Sequence, residues 1–198
     1  GIGHLDGVVY THPHADHIHG IDDLRTFVLW QRRLMEIWAD DATYERLFEG
    51  FRYCFETPAG SGYPPILKRH EIDHETPFSV TGPGGDIVFT PLHQRHAGIH
   101  SLGFRIGDFA YCSDVSGYPD ETLEKMHGLE VLIVDALQYR EHPSHFSLQQ
   151  ALDVIMELAP KRAYLTHMHI PLDYETVKNE TPDHVEPCYD GLVIELEA

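Results

Sequence analysis

A layered, mixed α/β domain is the fold class this sequence predicts. Three observations carry it. Strand-like and helix-like patterns alternate in the later half of the chain. Residues 131–134 read VLIV, apolar throughout, as a strand covered on both faces would. Residues 147–159 place Leu148, Ala151, Leu152, Ile155 and Met156 at helical spacing, behind an S-x-x-Q capping box and ahead of Pro160.

The elements follow in order. Gly7 leads into an apolar strand, Val8-Val9-Tyr10. Residues 20–38 read as one helix, with Ile21, Leu24, Val28, Met35 and Trp38 as its stripe. Residues 40–55 predict a second helical stretch with a break at Gly50, and 57–65, TPAGSGYPP, an irregular loop. After Gly84-Gly85 the pattern turns to strands: 87–91, then 101–106, a Gly107-Asp108 turn and a returning 109–112. Residues 121–126 predict a short helix, 162–166 a strand, 174–180 a helix and 192–196 a closing strand.

The 198 residues carry 32 acidic and 14 basic side chains, a formal charge of −18. Such a charge repels a phosphate backbone and argues against a nucleic-acid partner. No apolar run approaches the roughly 20 residues of a membrane helix. Three cysteines without a C-x-x-C pair are not a disulfide framework, and they fit free thiols in the cytoplasm. Histidine is the anomaly, at 16 residues.

The histidines concentrate in Thr11-His-Pro-His-Ala-Asp-His17. On an extended backbone, positions i and i+2 face the same way, so His12 and His14 can grip one ion. Asp16 and His17 follow the strand, where the chain turns, and can face a second ion. Imidazole with carboxylate suits zinc, manganese or iron.

The run THPHADH resembles the signature of the metallo-β-lactamase superfamily. The resemblance implies an αββα sandwich with one or two metals at an edge of its sheets, and further ligands at strand ends. The stretch TPLHQRHAGIHSLGFRI offers His93, His96 and His100. By the family's distance to the Gly-Phe strand, His96 is the expected ligand, with His93 and His100 beside it or facing solvent. Asp114, ending Tyr111-Cys-Ser-Asp, matches the family's bridging aspartate. In Leu165-Thr-His-Met-His169, His167 and His169 stand as alternatives for the remaining ligand.

GIDDLR, SLGFRI, HFSLQQAL, LTHMHIPLDY and YDGLVIE resemble the phosphoribosyl cyclic-phosphate phosphodiesterase branch over nearly the whole chain. That implies two divalent ions, Zn²⁺ or Mn²⁺, and a metal-bridging hydroxide that attacks a small cyclic phosphate or nucleotide-like ester. His145 is then a catalytic and substrate-binding residue, with Asp16 as the second catalytic candidate. A tRNA 3′-processing nuclease and a thioester or lactone hydrolase are the alternatives within the superfamily, and a non-enzymatic metal-binding protein is the alternative outside it. Members of the branch carry about 70 residues ahead of the metal motif, an opening pair of strands. Residues 1–198 are therefore expected to be a single domain lacking its amino-terminal part. The edge so exposed makes a second copy of the chain a candidate partner. The branch's additional structural zinc is not expected, since Ile170 replaces one of its ligands.

Overall fold

The computed structural model describes residues 2–196. Two units meet at the Phe89–Thr90 bond.

The first unit is built on a parallel three-stranded sheet in the order β1 (Gly7–Val9), β2 (Met35–Ala39), β3 (Leu67–Glu71). β2 lies between two partners and is almost wholly buried. Met35, Ile37 and Ala39 point into a core with Ile21, Leu47, Cys54 and Leu67. Between β1 and β2 run a single turn, α1 (Ala15–Ile18), a 3₁₀ turn (His19–Asp23) and α2 (Leu24–Gln31). α3 (Asp41–Phe51) starts on a built cap, the Asp40 side chain accepting from Thr43 N over 2.9 Å. Further on, β4 (Phe78–Gly82) turns at Gly85, φ 111°, into β5 (Gly85–His96) and pairs antiparallel with its first half.

Two expectations change here. The predicted helix over 20–38 is really a helix and a strand. Arg32, in the left-handed region at φ 54°, ends α2, and the next apolar residues alternate as β2. Met35 falls seven residues after Val28, a helical interval, yet Met35, Ile37 and Ala39 keep the strand interval of two; a run this short carries both readings. Gly50 does not break α3. It lies on the exposed face, where glycine costs only about 1 kcal/mol against alanine.

The second unit continues β5 from Thr90. β6 (Ile99–Ile106) and β7 (Phe109–Cys112) follow antiparallel, and β8 (Val131–Asp135), β9 (Arg162–Thr166) and β10 (Val185–Pro187) add in parallel, giving the order β10-β9-β8-β7-β6-β5. Parallel neighbours need crossovers. α4 (Asp120–Lys125) lies between β7 and β8, α5 (Leu148–Leu158) between β8 and β9, and α6 (Tyr174–Glu180) between β9 and β10. α5 packs Ala151, Ile155 and Leu158 on Leu132, Val134 and Leu165. Its capping box is complete: Gln150 N donates to Ser147 Oγ, and Ser147 N to Gln150 Oε1. The predicted closing strand at 192–196 does not form. Val193 accordingly stays exposed. Among the described residues no helix is long and apolar enough to cross a membrane.

Candidate metal centre

In the first unit the donors leave the end of β1. Tyr10 N still donates to Trp38 O over 2.9 Å, so the chain is extended as it reaches His12. His14 keeps extended dihedrals as the residue before α1, and Asp16 and His17 fall on that helical turn. The His12 ring lies 4.8 Å from that of His14 and 4.2 Å from that of His17. His17 Nε2 lies 3.4 Å from Asp16 Oδ2. Nδ1 of His12 meets Thr11 Oγ1 at 3.0 Å, which turns Nε2, the buried ring nitrogen, away from that hydroxyl.

In the second unit the donors sit at strand ends. His96 closes β5, is 1% exposed, and donates from Nδ1 to Ser144 O over 2.7 Å. That bond fixes the tautomer and leaves a lone pair on Nε2, 3.8 Å from Asp114 Oδ2. Asp114 follows β7 with φ 59°, and His167 follows β9 with φ 60°. Left-handed backbone costs a non-glycine residue about 1–2 kcal/mol, and such positions cluster at functional sites. His167 Nε2 lies 3.6 Å from Asp114 Oδ1. Asp114 is held from two sides: Ser113 Oγ donates to its Oδ1 over 2.8 Å, and Ser101 Oγ to its carbonyl over 2.7 Å. Ser101 Oγ in turn accepts from the buried Gln94 amide at 3.0 Å.

His145 stands between these groups. Its ring stacks on His167 at 4.8 Å and meets His96 edge-on at 4.8 Å. Nδ1 donates to Asp135 Oδ2 over 2.6 Å, and the same oxygen accepts from Val115 N at 3.0 Å. Burial pushes the Asp135 carboxyl above its ordinary range, and His145 and the Val115 amide pull it back down. Asp135 was not singled out from sequence. Its signal was available: an acid closing the apolar run VLIVD, as Asp114 follows YCS.

The two alternatives at the end of β9 are placed differently. His167 shares a group of donor atoms with Asp135 and His145, all within 4.8 Å of one another. His169 is exposed, gives its backbone N–H to Leu137 O, and joins no such group among the described residues. His93 and His100 stack on each other at 5.4 Å, half-buried.

Each unit therefore carries candidate metal donors. The donor chemistry fits divalent ions: imidazoles with one nitrogen pinned by an oxygen partner, and carboxylates supported by hydroxyls and amides.

The chain is similar to known proteins. The family described as Beta-lactamase superfamily domain matches residues 1–168. The chain is 34% identical over 197 residues to an octanoyltransferase of Porphyromonas gingivalis (strain ATCC BAA-308 / W83), covering 97% of this chain. It spans only 38% of that curated relative's length. Among solved structures, a diphosphatase from the PhnP family is 30% identical with a TM-score of 0.88, over all of this chain and 74% of that one. The metallo-beta-lactamase fold protein YhfI from Bacillus subtilis shares the fold at a TM-score of 0.73 and 21% identity, over 96% of this chain and 78% of its own. By the family match and the PhnP-family likeness, this chain belongs to the metallo-β-lactamase superfamily of metal-dependent hydrolases and, within it, to the PhnP family.

Proposed function

We propose that the protein is a binuclear metal-dependent phosphodiesterase acting on a small cyclic phosphate or nucleotide-like ester. In this reading His12, His14, Asp16 and His17 of the first unit are metal donors, as are His96, Asp114 and His167 of the second, and the ions are two divalent cations, Zn²⁺ or Mn²⁺. Asp114 is the shared ligand. Its position favours this: His96 Nε2 and His167 Nε2 approach its two different oxygens, at 3.8 and 3.6 Å.

Ions held there supply Lewis acidity, polarising a phosphoryl oxygen and making water a nucleophile at neutral pH. The chain's own residues supply the proton chemistry. With Nδ1–H committed to Asp135, His145 presents Nε2 to the substrate. From there it protonates the leaving alkoxide, and Asp135 stabilises the imidazolium that precedes the transfer. No side-chain nucleophile is needed. The observation that carries this reading is the Asp135–His145 pair set against His167 and His96, an acid–base group packed on candidate ligands.

The charge of −18 disfavours a large RNA substrate, and the free thiols fit a cytoplasmic enzyme. The test is a substrate panel with Mn²⁺ or Zn²⁺ present: bis(p-nitrophenyl) phosphate, a ribose cyclic phosphate, a precursor tRNA and a thioester. Cleavage of the first two is expected. Binding of less than one metal per chain, with neither ester cleaved, defeats the proposal.

A further inference from the structure

Asp114 is reached by a buried polar network that the reading above does not use. Gln94 on β5 and Ser101 on β6 are direct cross-strand partners, and Ser113 and Asp114 follow β7. None of the four is more than 2% exposed. Ser101 Oγ donates to Asp114 O over 2.7 Å, and Ser113 Oγ to Asp114 Oδ1 over 2.8 Å. Gln94 Nε2 reaches both of these supporting residues, Ser101 Oγ at 3.0 Å and Ser113 O at 3.1 Å.

Donor chemistry allows one orientation of the Gln94 amide. Ser101 Oγ has a single proton and gives it to Asp114 O, so toward Gln94 it only accepts. The Ser113 carbonyl has no proton to give. Both oxygens therefore take N–H groups of the amide, one each. Gln94 Oε1 is turned toward Gly103, where a Cβ would lie 2.5 Å from it. That oxygen is buried without a hydrogen-bond partner among the described residues.

A buried carbonyl without a donor is costly, and so is the left-handed backbone of Asp114, φ 59°. An apolar side chain at position 94 would avoid the first cost. What the amide adds is a hold on both residues that fix Asp114: Ser101, which takes its carbonyl, and Ser113, which takes its carboxylate.

We infer that Gln94 is a positioning residue for Asp114. Through Ser101 and Ser113 it holds the left-handed turn that aims the carboxylate, and so raises metal affinity without being a ligand. The inference rests on Asp114 being a metal donor, as in the reading above, and adds the residue that orients it. Hydrogen-bonded supports of metal ligands typically change affinity about 10–100-fold.

The test measures Zn²⁺ alone, by competition with a chromophoric chelator, together with the urea midpoint of the metal-free protein. Gln94→Met removes the two N–H bonds and the unpartnered oxygen together, so its midpoint should stay near the native value. Its Kd for Zn²⁺ should rise about tenfold. Gln94→Ala loses the same bonds with different packing and should show the same rise. In an Asp114→Asn background, Gln94→Met should weaken Zn²⁺ no further, because its effect passes through that carboxylate. A native Kd in either folded variant overturns the inference, as does a lowered midpoint with Kd unchanged, the mark of a merely structural residue. Full additivity with Asp114→Asn overturns it too. A native Kd in Asp114→Asn itself defeats the ligand set instead. Weakened Zn²⁺ binding in the Gln94 variants, with no phosphodiester cleaved by the native protein, supports the inference and counts against the phosphodiesterase reading alone.

Discussion

Nδ1 of His145 lies 2.6 Å from Oδ2 of Asp135, a carboxylate with no solvent exposure at the carboxyl end of a central strand. A buried acid of this kind stays ionised only while its hydrogen bonds hold the charge. Here the bonds come from His145 and from Val115 N. The pair is therefore mutually dependent: the acid orients the ring, and the ring keeps the acid charged.

That dependence predicts non-additive kinetics. Asp135→Asn should lower kcat about 10–100-fold, and His145→Ala about 10²–10⁴-fold. The double variant should be no slower than His145→Ala, because the first change acts through the second residue. Steady-state kinetics on a phosphodiester decide it. Additive losses would show that Asp135 acts independently of the ring.

His14 separates metal binding from folding. Its side chain is exposed, so, with metal removed from both proteins, His14→Ala should change stability by no more than about 0.5 kcal/mol. Metal content by plasma mass spectrometry and phosphodiester turnover should both fall sharply. Dialysis of the native protein against a chelator should lower Tm and abolish turnover, with recovery on adding Mn²⁺ or Zn²⁺. A native metal content retained in the variant would remove His14 from the ligand set.

The support beneath Asp114 can be tested by unfolding. Ser101→Ala takes a donor from the Asp114 carbonyl and an acceptor from the buried Gln94 amide, at a cost of about 1–3 kcal/mol. Gly103 lies alongside this network. A Cβ there would sit 2.5 Å from Gln94 Oε1 and 2.9 Å from Cys112 Sγ and Tyr111 O. Tyr111 O is backbone and cannot swing aside, so Gly103→Ala should also cost about 1–3 kcal/mol. Urea midpoints for the two variants provide the check.

Thiol reactivity should follow burial. Cys54 and Cys112 have no exposed surface, and burial pushes the Cys112 thiol up to about 12. The thiolate is the reactive form, and at pH 8 Cys112 holds almost none. Ellman's reagent should therefore reach Cys188, the half-buried cysteine, first, and the other two only on unfolding. Equally fast labelling of all three in the native protein would contradict the packing.

Some of this protein is legible residue by residue. His12, His14, Asp16 and His17 are neighbours in the chain, so local backbone geometry alone brings them together. The helix at 148–158 is equally local, because its capping box and apolar stripe agree. β2 carries two readings, because Met35 keeps a helical interval from Val28 while Met35, Ile37 and Ala39 keep the strand interval of two. Only pairing with β1 and β3 decides between them. The 192–196 stretch has strand-like residues but pairs with no strand among the described residues.

The sequence by itself determined the donor types, the run from His12 to His17 and Asp114 at a strand end, because those depend on composition and on motifs within a few residues. Tertiary structure decided the partnerships: Asp135 with His145, Gln94 with Ser101, and His167 rather than His169 beside Asp114. The physical reason is the parallel sheet. It sets side by side strand ends that lie tens of residues apart in the chain, and no local pattern records which ends become neighbours.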